Sequence, residues 1–350
     1  MRCGDFRQSY AEDMALFDSP LPRVLLTGLL VFLLVLPQFA TTYWLDVLNR
    51  IFIAIIAAAG LNVVTGYTGL ISLGTAAFLA VGGFATAAMA GKAGLPFVVV
   101  IPLSGLVTAA VGLVFGIPSL RLSGVYLAIA TLGFGEVLRA VLINWESLTG
   151  GAVGIAAIPQ MGRVILAWGR DRGFSPESLG LQGNQFISLT VFLILLLCTI
   201  LTVAFFLRLS RSRVGRAYTA IRLDERAAEA AGIPITYYKV LAFSQGALLS
   251  GFAGALFAHS TSFVSPGDFT YHRAVEILVF AVFGGSEHIL GPVFGAAFLT
   301  ALPEALRSIS DYRYILYGLL LVMMMVFRPQ GVVDPALLRR IRRPGTETTP

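Results

Sequence analysis

Charge is scarce in this 350-residue chain: Asp, Glu, Lys and Arg make up 13% of it, while 57% is hydrophobic. That is about half the charged share of an ordinary soluble domain. So few solvated groups cannot cover a globular surface, which excludes a soluble domain and leaves an integral membrane protein. Cysteine is nearly absent as well. Cys3 lies in a polar stretch and Cys198 in an apolar run, so neither a disulfide framework nor a thiolate metal site is expected, and no metal is assigned. Signatures of chemistry are missing too. Gly91-Lys92-Ala93 lacks the upstream glycines and the following Ser or Thr of a phosphate-cradling Walker A loop, and neither a Gly-x-Ser-x-Gly elbow nor a His-Glu-x-x-His pair occurs. The chain is not expected to be an enzyme or to hydrolyse ATP by that route.

What the chain has in quantity is apolar length and glycine. A helix crossing the hydrocarbon needs about 20 largely apolar residues. Ten runs of roughly that order occur, at 24–40, 47–64, 70–90, 96–120, 124–143, 186–207, 239–258, 274–283, 291–306 and 312–327, the eighth being short. The expected fold is an all-α polytopic membrane protein of about ten transmembrane segments. The 37 glycines suit it, because glycine lets transmembrane backbones approach closely. The first run has no small-residue cleavage site after it and is read as a retained helix.

Charge orients the chain. Arg208, Arg211, Arg213, Arg216, Arg222, Arg226 and Lys239 fall in one connection, and Arg328, Arg339, Arg340, Arg342 and Arg343 fall in the last segment. Basic residues beside membrane helices mark the cytoplasmic side. An even number of crossings puts both termini there. The organisation expected is a cytoplasmic tail at 1–23, one transmembrane domain at 24–327 and a basic cytoplasmic tail at 328–350. An external loop at 144–185 and a cytoplasmic loop at 208–239 interrupt the domain. The basic excess is accounted for by topology, so nucleic acid is not an expected partner.

Within the cytoplasmic loop, Asp224 can cap a helix beginning at Glu225, Gly232 suits a left-handed end, and Pro234 prevents continuation. So short a helix is marginal alone and must be held against a surface. Glu225, Arg226 and Glu229 offer polar contacts, and Ala227, Ala228, Ala230 and Ala231 a small-residue face. A membrane-surface helix and a docking helix both fit this pattern.

The surrounding words carry a resemblance. GRAYTAIRLDERAAEAAGIPITYYKVLAF (215–243), GLNVVTGYTGLISLGTAAFLAVGGF (60–84) and SGVYLAIATLGFGEVLRAVLINWESLTGGAVGI (123–155) resemble the LivM-like permease subunits of ABC importers of the branched-chain amino acid class, over about 25–330. The resemblance implies a type II importer-like permease fold in a bacterial inner membrane. It also implies that Asp224, Glu225, Arg226, Ala228, Glu229, Ala230, Ala231 and Gly232 form the coupling helix docking on an ATPase subunit. Further implied partners are a second permease, homologous or identical, and an extracytoplasmic solute-binding protein. No cofactor is implied for this chain, with ATP and Mg on the partner subunit. Branched-chain amino acids are the implied substrate, although similar permeases serve urea and short amides. Thr75 departs from the family's pattern, in which His or another polar residue often follows Ser-Leu-Gly, and this bears on substrate choice rather than fold.

Asn62, Thr65, Ser72, Thr75 and Thr86 stand among glycines. Glycine-interrupted helices at membrane depth are tolerated where they face protein or a cavity, so these residues either line a translocation path or serve close helix packing. Glu136 and Arg139 share a helical face and form either an ion pair or a gate or substrate contact. An ion-coupled transporter working alone would depend on such groups. Asn144, Thr149, Gly150 and Gly151 form either a tight connector or a contact for the binding protein.

Overall fold

The computed structural model describes residues 28–29, 31–119, 122, 124–171, 182–286 and 290–306, with a few positions between 315 and 332. The described residues are almost entirely helical. In chain order the helices are α1 (Thr42–Asn62), α2 (Thr75–Thr86), α3 (Phe97–Ser119), α4 (Val125–Asn144), α5 (Met161–Asp171), α6 (Gly183–Arg211), α7 (Arg213–Leu223), α8 (Glu225–Ala230), α9 (Ile235–Thr261), α10 (Tyr271–Gly284) and α11 (Leu290–Ala305). Single turns at Glu146–Thr149, Gly151–Val153 and Pro266–Phe269 lie between them. Two-residue strands β1 (Ile155–Ala156) and β2 (Phe263–Val264) pair antiparallel. Both α1 and α2 continue as π-turns, at Val63–Tyr67 and Ala87–Lys92.

Among the described residues six helical stretches are long and apolar enough to cross a membrane: Thr42–Tyr67, Thr75–Lys92, Phe97–Ile117, Val125–Asn144, Gly183–Arg211 and Ile235–Thr261. The runs expected at 274–283 and 291–306 form α10 and α11, of 14 and 16 residues. At 1.5 Å per residue these reach about 21 and 24 Å, short of a hydrocarbon core of about 30 Å. They make a hairpin of short helices packed on α1. The first expected run is described at 28–29 and 31–40, helical and ending in a single turn at Leu36–Gln38, whereas most of the last expected run, the two tails and most of the stretch from 172 to 185 lie outside the described residues.

One expected run is corrected. The segment at 70–90 is not helical from its start, because 69–74 is irregular and α2 begins only at Thr75. Gly69 adopts φ +73°, which ends the preceding helix. The Leu73 amide then donates to Thr131 Oγ1 at 2.9 Å, so the stretch is satisfied by α4 and not by a helical ladder.

The centre of the bundle is α9, packed on α1, α2 and α3. Small residues make this possible. A Cβ on Gly82 would collide with the Gly251 backbone, one on Gly254 with Leu79 O, and one on Gly251 with the Thr108 side chain. Close backbone approach is how helices associate where lipid offers no hydrophobic drive. A buried hydrogen bond of 2.8 Å between Thr86 Oγ1 and Ser104 Oγ joins α2 to α3. Because α9 runs from the α7–α8 region to β2, those two features occupy opposite ends of the bundle.

Candidate functional site

At one end, α8 is closed at both termini. Asp224 Oδ1 accepts from the amides of Arg226 at 2.8 Å and Ala227 at 3.1 Å. At the other terminus the Ile233 amide reaches Ala228 O at 3.0 Å and the Gly232 amide reaches Glu229 O at 2.9 Å, with Gly232 at φ +81°. This pair of bonds is a Schellman closure, which favours glycine at the left-handed position. Of the helix only Ala228 is buried. Glu225, Arg226, Ala227, Glu229 and Ala230, together with Ala231 and Gly232, are exposed. Leu223 and Tyr237 lie exposed on either side, at 80% and 61%. Six residues of helix with this outer face have no hydrophobic reason to persist alone.

Three polar links hold this end to the bundle. Glu225 Oε1 meets the buried Lys239 Nζ of α9 at 2.7 Å. Tyr218 of α7 is fully buried and donates its hydroxyl to Gln245 Oε1 of α9 at 3.0 Å. Burial, and secondarily the neighbouring Tyr237 and Tyr238, push the Tyr218 phenol well above its ordinary range, so it remains a donor throughout the physiological range. Arg222 of α7 donates from Nη1 to Gly66 O at 2.8 Å, across to the π-turn that ends α1.

That π-turn is the second locus. Asn62 is completely buried, and neither its Oδ1 nor its Nδ2 has a partner among the described residues; Thr65 Oγ1 is likewise buried and unpartnered. Buried polar groups are nearly always paired, so such exceptions call for a physical reason. The Asn62 side-chain oxygen and Ser286 O both crowd the Cα of Gly66, where no Cβ would fit. Ser286 belongs to the turn between α10 and α11, so a π-turn and a helix break meet at one buried point. Irregular backbone at depth is tolerated where protein or a cavity surrounds it, and π-turns concentrate at functional positions.

The other expected path residues are not gathered there. Thr86 is committed to Ser104. Ser72 Oγ accepts from the Gly74 amide at 3.3 Å. Thr75 is buried at the start of α2. Glu136 Oε2 accepts from Arg139 Nε at 3.1 Å, both side chains more than a third exposed, on a helix that packs against α2.

At the opposite end, Thr149 is 1% exposed. Its hydroxyl donates toward Leu142 O and Trp145 O at 2.6 and 2.7 Å and accepts from the Gly151 amide at 3.2 Å. It shapes the turn and presents no surface. Gly150 and Gly151 are both left-handed, at φ +72° and +65°, Gly151 is buried, and Asn144 Nδ2 donates to Ala140 O at 2.8 Å. Of the expected contact residues Asn144 and Gly150 are exposed, beside the large outward-facing side chains of Trp145 and Val153 at 53% and 79% exposure.

Sequence reasoning missed Arg222, Lys239, Tyr218, Gln245 and Ser286 as site residues. Arg222 and Lys239 counted only as topological charge, and Ser286 carries no sequence signal. Gln245 was legible in part, as an amide inside an otherwise apolar run.

Six apolar spans with glycine-lined contacts, and a capped helix exposed at one end, define a multi-pass helical membrane protein. A family model described as the permease component of branched-chain amino acid transport systems matches residues 43–327. The chain belongs to that family and is a membrane transport subunit. It is 37% identical over 319 residues to the high-affinity branched-chain amino acid transport system permease protein LivM of Salmonella typhimurium, covering 89% of this chain and 75% of that one. Identity and coverage are the same for LivM of Escherichia coli K12. The autoinducer 2 import system permease protein LsrC of Shigella flexneri is 27% identical over 61% of this chain and 58% of its own. No solved structure matches significantly.

Proposed function

We propose that this chain is the permease of an ATP-driven importer of small polar solutes, with branched-chain amino acids as the substrate. The observation that carries the reading is α8, closed by Asp224 and Gly232 and exposed along its outer face. Its residues Glu225 to Ala231 form the coupling helix, and the missing surface belongs to an ATP-binding subunit that holds ATP and Mg. A second permease subunit and an extracytoplasmic solute-binding protein complete the assembly. The chain crosses a bacterial inner membrane an even number of times in a type II importer-like arrangement with both termini cytoplasmic, α8 inside and the Trp145–Val153 end outside; the short pair α10 and α11 leaves that parity unchanged. The substrate is supported by the names of the LivM relatives; urea and short amides are the alternatives.

The test is co-purification from the native membrane followed by reconstitution with what is recovered. An ATPase subunit recovered with the chain, together with ATP-dependent uptake of leucine, supports the reading. Recovery of the chain alone with gradient-driven uptake overturns it.

Asn62 supplies a path test. Asn62→Leu is close to isosteric and removes two unpartnered polar atoms, which stabilises or leaves unchanged a merely structural position. Uptake is expected to fall about tenfold or more with normal yield of folded chain, a loss on the scale of one buried hydrogen bond to a polar solute. Retained uptake would place the path elsewhere. Glu136→Gln tests the gradient-driven rival. The pair is exposed and i,i+3, so little stability depends on it, and ATP-driven uptake is expected to stay within about twofold. Loss of a proton or sodium dependence in the variant would favour the rival.

A further inference from the structure

Resting on the reading of α8 as the ATPase-docking helix, we propose that Arg222 is the strut through which movement of α7 and α8 reaches the π-turn, and thereby decides whether Asn62 and Thr65 are sealed or open to the path.

The last carbonyls of a helix have no partner within it. At the end of α1, Val64 O receives Thr68 Oγ1 at 2.6 Å and the Leu70 amide at 3.2 Å. Gly66 O instead receives a guanidinium from 156 residues away. A charge-assisted donor of this kind holds more strongly than a neutral one. The backbone also folds over the arginine: a Cβ on the left-handed Gly69 would come within 3.2 Å of Arg222 Cγ. The contact is thus a fitted socket for the whole side chain, stem and head.

Both sides of the strut are defined. Four residues before it on the same face of α7, Tyr218 is pinned to Gln245 in the glycine-packed central helix α9. Two residues after it, Asp224 caps α8. Rotation of α8 therefore pivots α7 about Tyr218 and swings Arg222. On the far side, the peptide of Gly66 carries the pulled oxygen while its Cα bears on Asn62 and Ser286. One residue connects the arginine to the unpartnered amide and to the break between α10 and α11.

The element being pulled has two states available to it. A π-turn differs from α-helix by a one-residue shift in hydrogen-bond register, so a modest force on its penultimate carbonyl, that of Gly66, can change which carbonyls are paired and where Asn62 points. Coupling over distance requires a two-state element of this sort that both sites bias. A rigid α-helical end to α1 would have offered none.

The experiment uses the reconstituted full complex, with Cys3 and Cys198 replaced by Ser and Thr65→Cys as reporter for a water-soluble maleimide. Labelling is compared with and without ATP, each variant against its own ATP-free state, and uptake per ATP hydrolysed is recorded in the unlabelled chain. Arg222→Met keeps the stem and removes the donor. It is expected to lower uptake per ATP about tenfold or more, with hydrolysis within about twofold of wild type and no ATP-dependent change in labelling. Arg222→Lys, which retains a cation, is expected to recover part of both. A role in mere folding would lower hydrolysis and uptake together and would not be rescued by lysine. Should Arg222→Met fail to assemble, Arg222→Lys carries the test: reduced coupling in an intact complex supports the strut, and unchanged coupling overturns it. A labelling response in Arg222→Met equal to wild type overturns the strut alone. Absence of any ATP response in wild type overturns the docking reading, and the strut with it.

Discussion

Gly232→Pro is expected to abolish ATP-driven uptake while the chain still inserts in the membrane. Proline is held near φ −65°, whereas this position sits at φ +81°. Proline also deletes the amide that reaches Glu229 O at 2.9 Å. Both changes undo the closure at the end of α8, and a six-residue helix has no reserve with which to absorb them. The substitution lies in a solvent-exposed turn where a Cβ meets nothing within 4 Å, so the bundle is untouched. Co-purifying ATPase, and uptake in vesicles, are expected to fall together. Glu229→Arg is the companion: it keeps the helix, reverses an exposed charge on its outer face, and is expected to weaken the same association. Unchanged association and coupling in both variants would remove α8 from the docking surface.

The largest effect on stability is expected from Gly251→Leu. A single Cβ there already meets the Thr108 side chain of α3, and the backbone at Gly251 in turn leaves no room for a Cβ on Gly82 of α2. Overpacking usually costs about 1–3 kcal/mol where side chains can shift. Here the obstruction reaches down to the Thr108 Cβ, which no rotamer moves, so α9 would have to leave α3. Monodisperse protein in mild detergent is expected to fall to a tenth or less, as read by fluorescence-detected size exclusion. Gly133→Ala in α4 is the contrast. Nothing lies within 4 Å of its Cβ, and alanine is the better helix former by about 1 kcal/mol. Equal yields from Gly251→Leu and Gly133→Ala would mean that the α3–α9 contact is not as close as described.

How much of this was legible depends on the range of the interaction. The cap at Asp224 and the left-handed end at Gly232 are decided by bonds spanning two to five residues, and both stand in the structure where the sequence placed them. The apolar spans at α3, α4, α6 and α9 were legible for a similar reason, since hydrocarbon sets a length that composition reports directly. The start of α2 was not, because Leu73 leaves the helical ladder for a hydroxyl 58 residues away. Nor could Thr86 be sorted from Asn62, as both are small polar residues among glycines. Only the presence of Ser104 opposite one, and of no partner among the described residues opposite the other, separates them.

The sequence by itself determined the solvent of this protein, the absence of a phosphate loop and the short capped helix, because charge content, motif spacing and local capping need no distant partner. Tertiary structure decided which polar residues remain unpaired, where a helix breaks, and that Arg222 reaches Gly66. Each of these depends on which group from a remote segment arrives within hydrogen-bonding distance, and a buried polar atom is defined by that arrival and not by its neighbours in the chain.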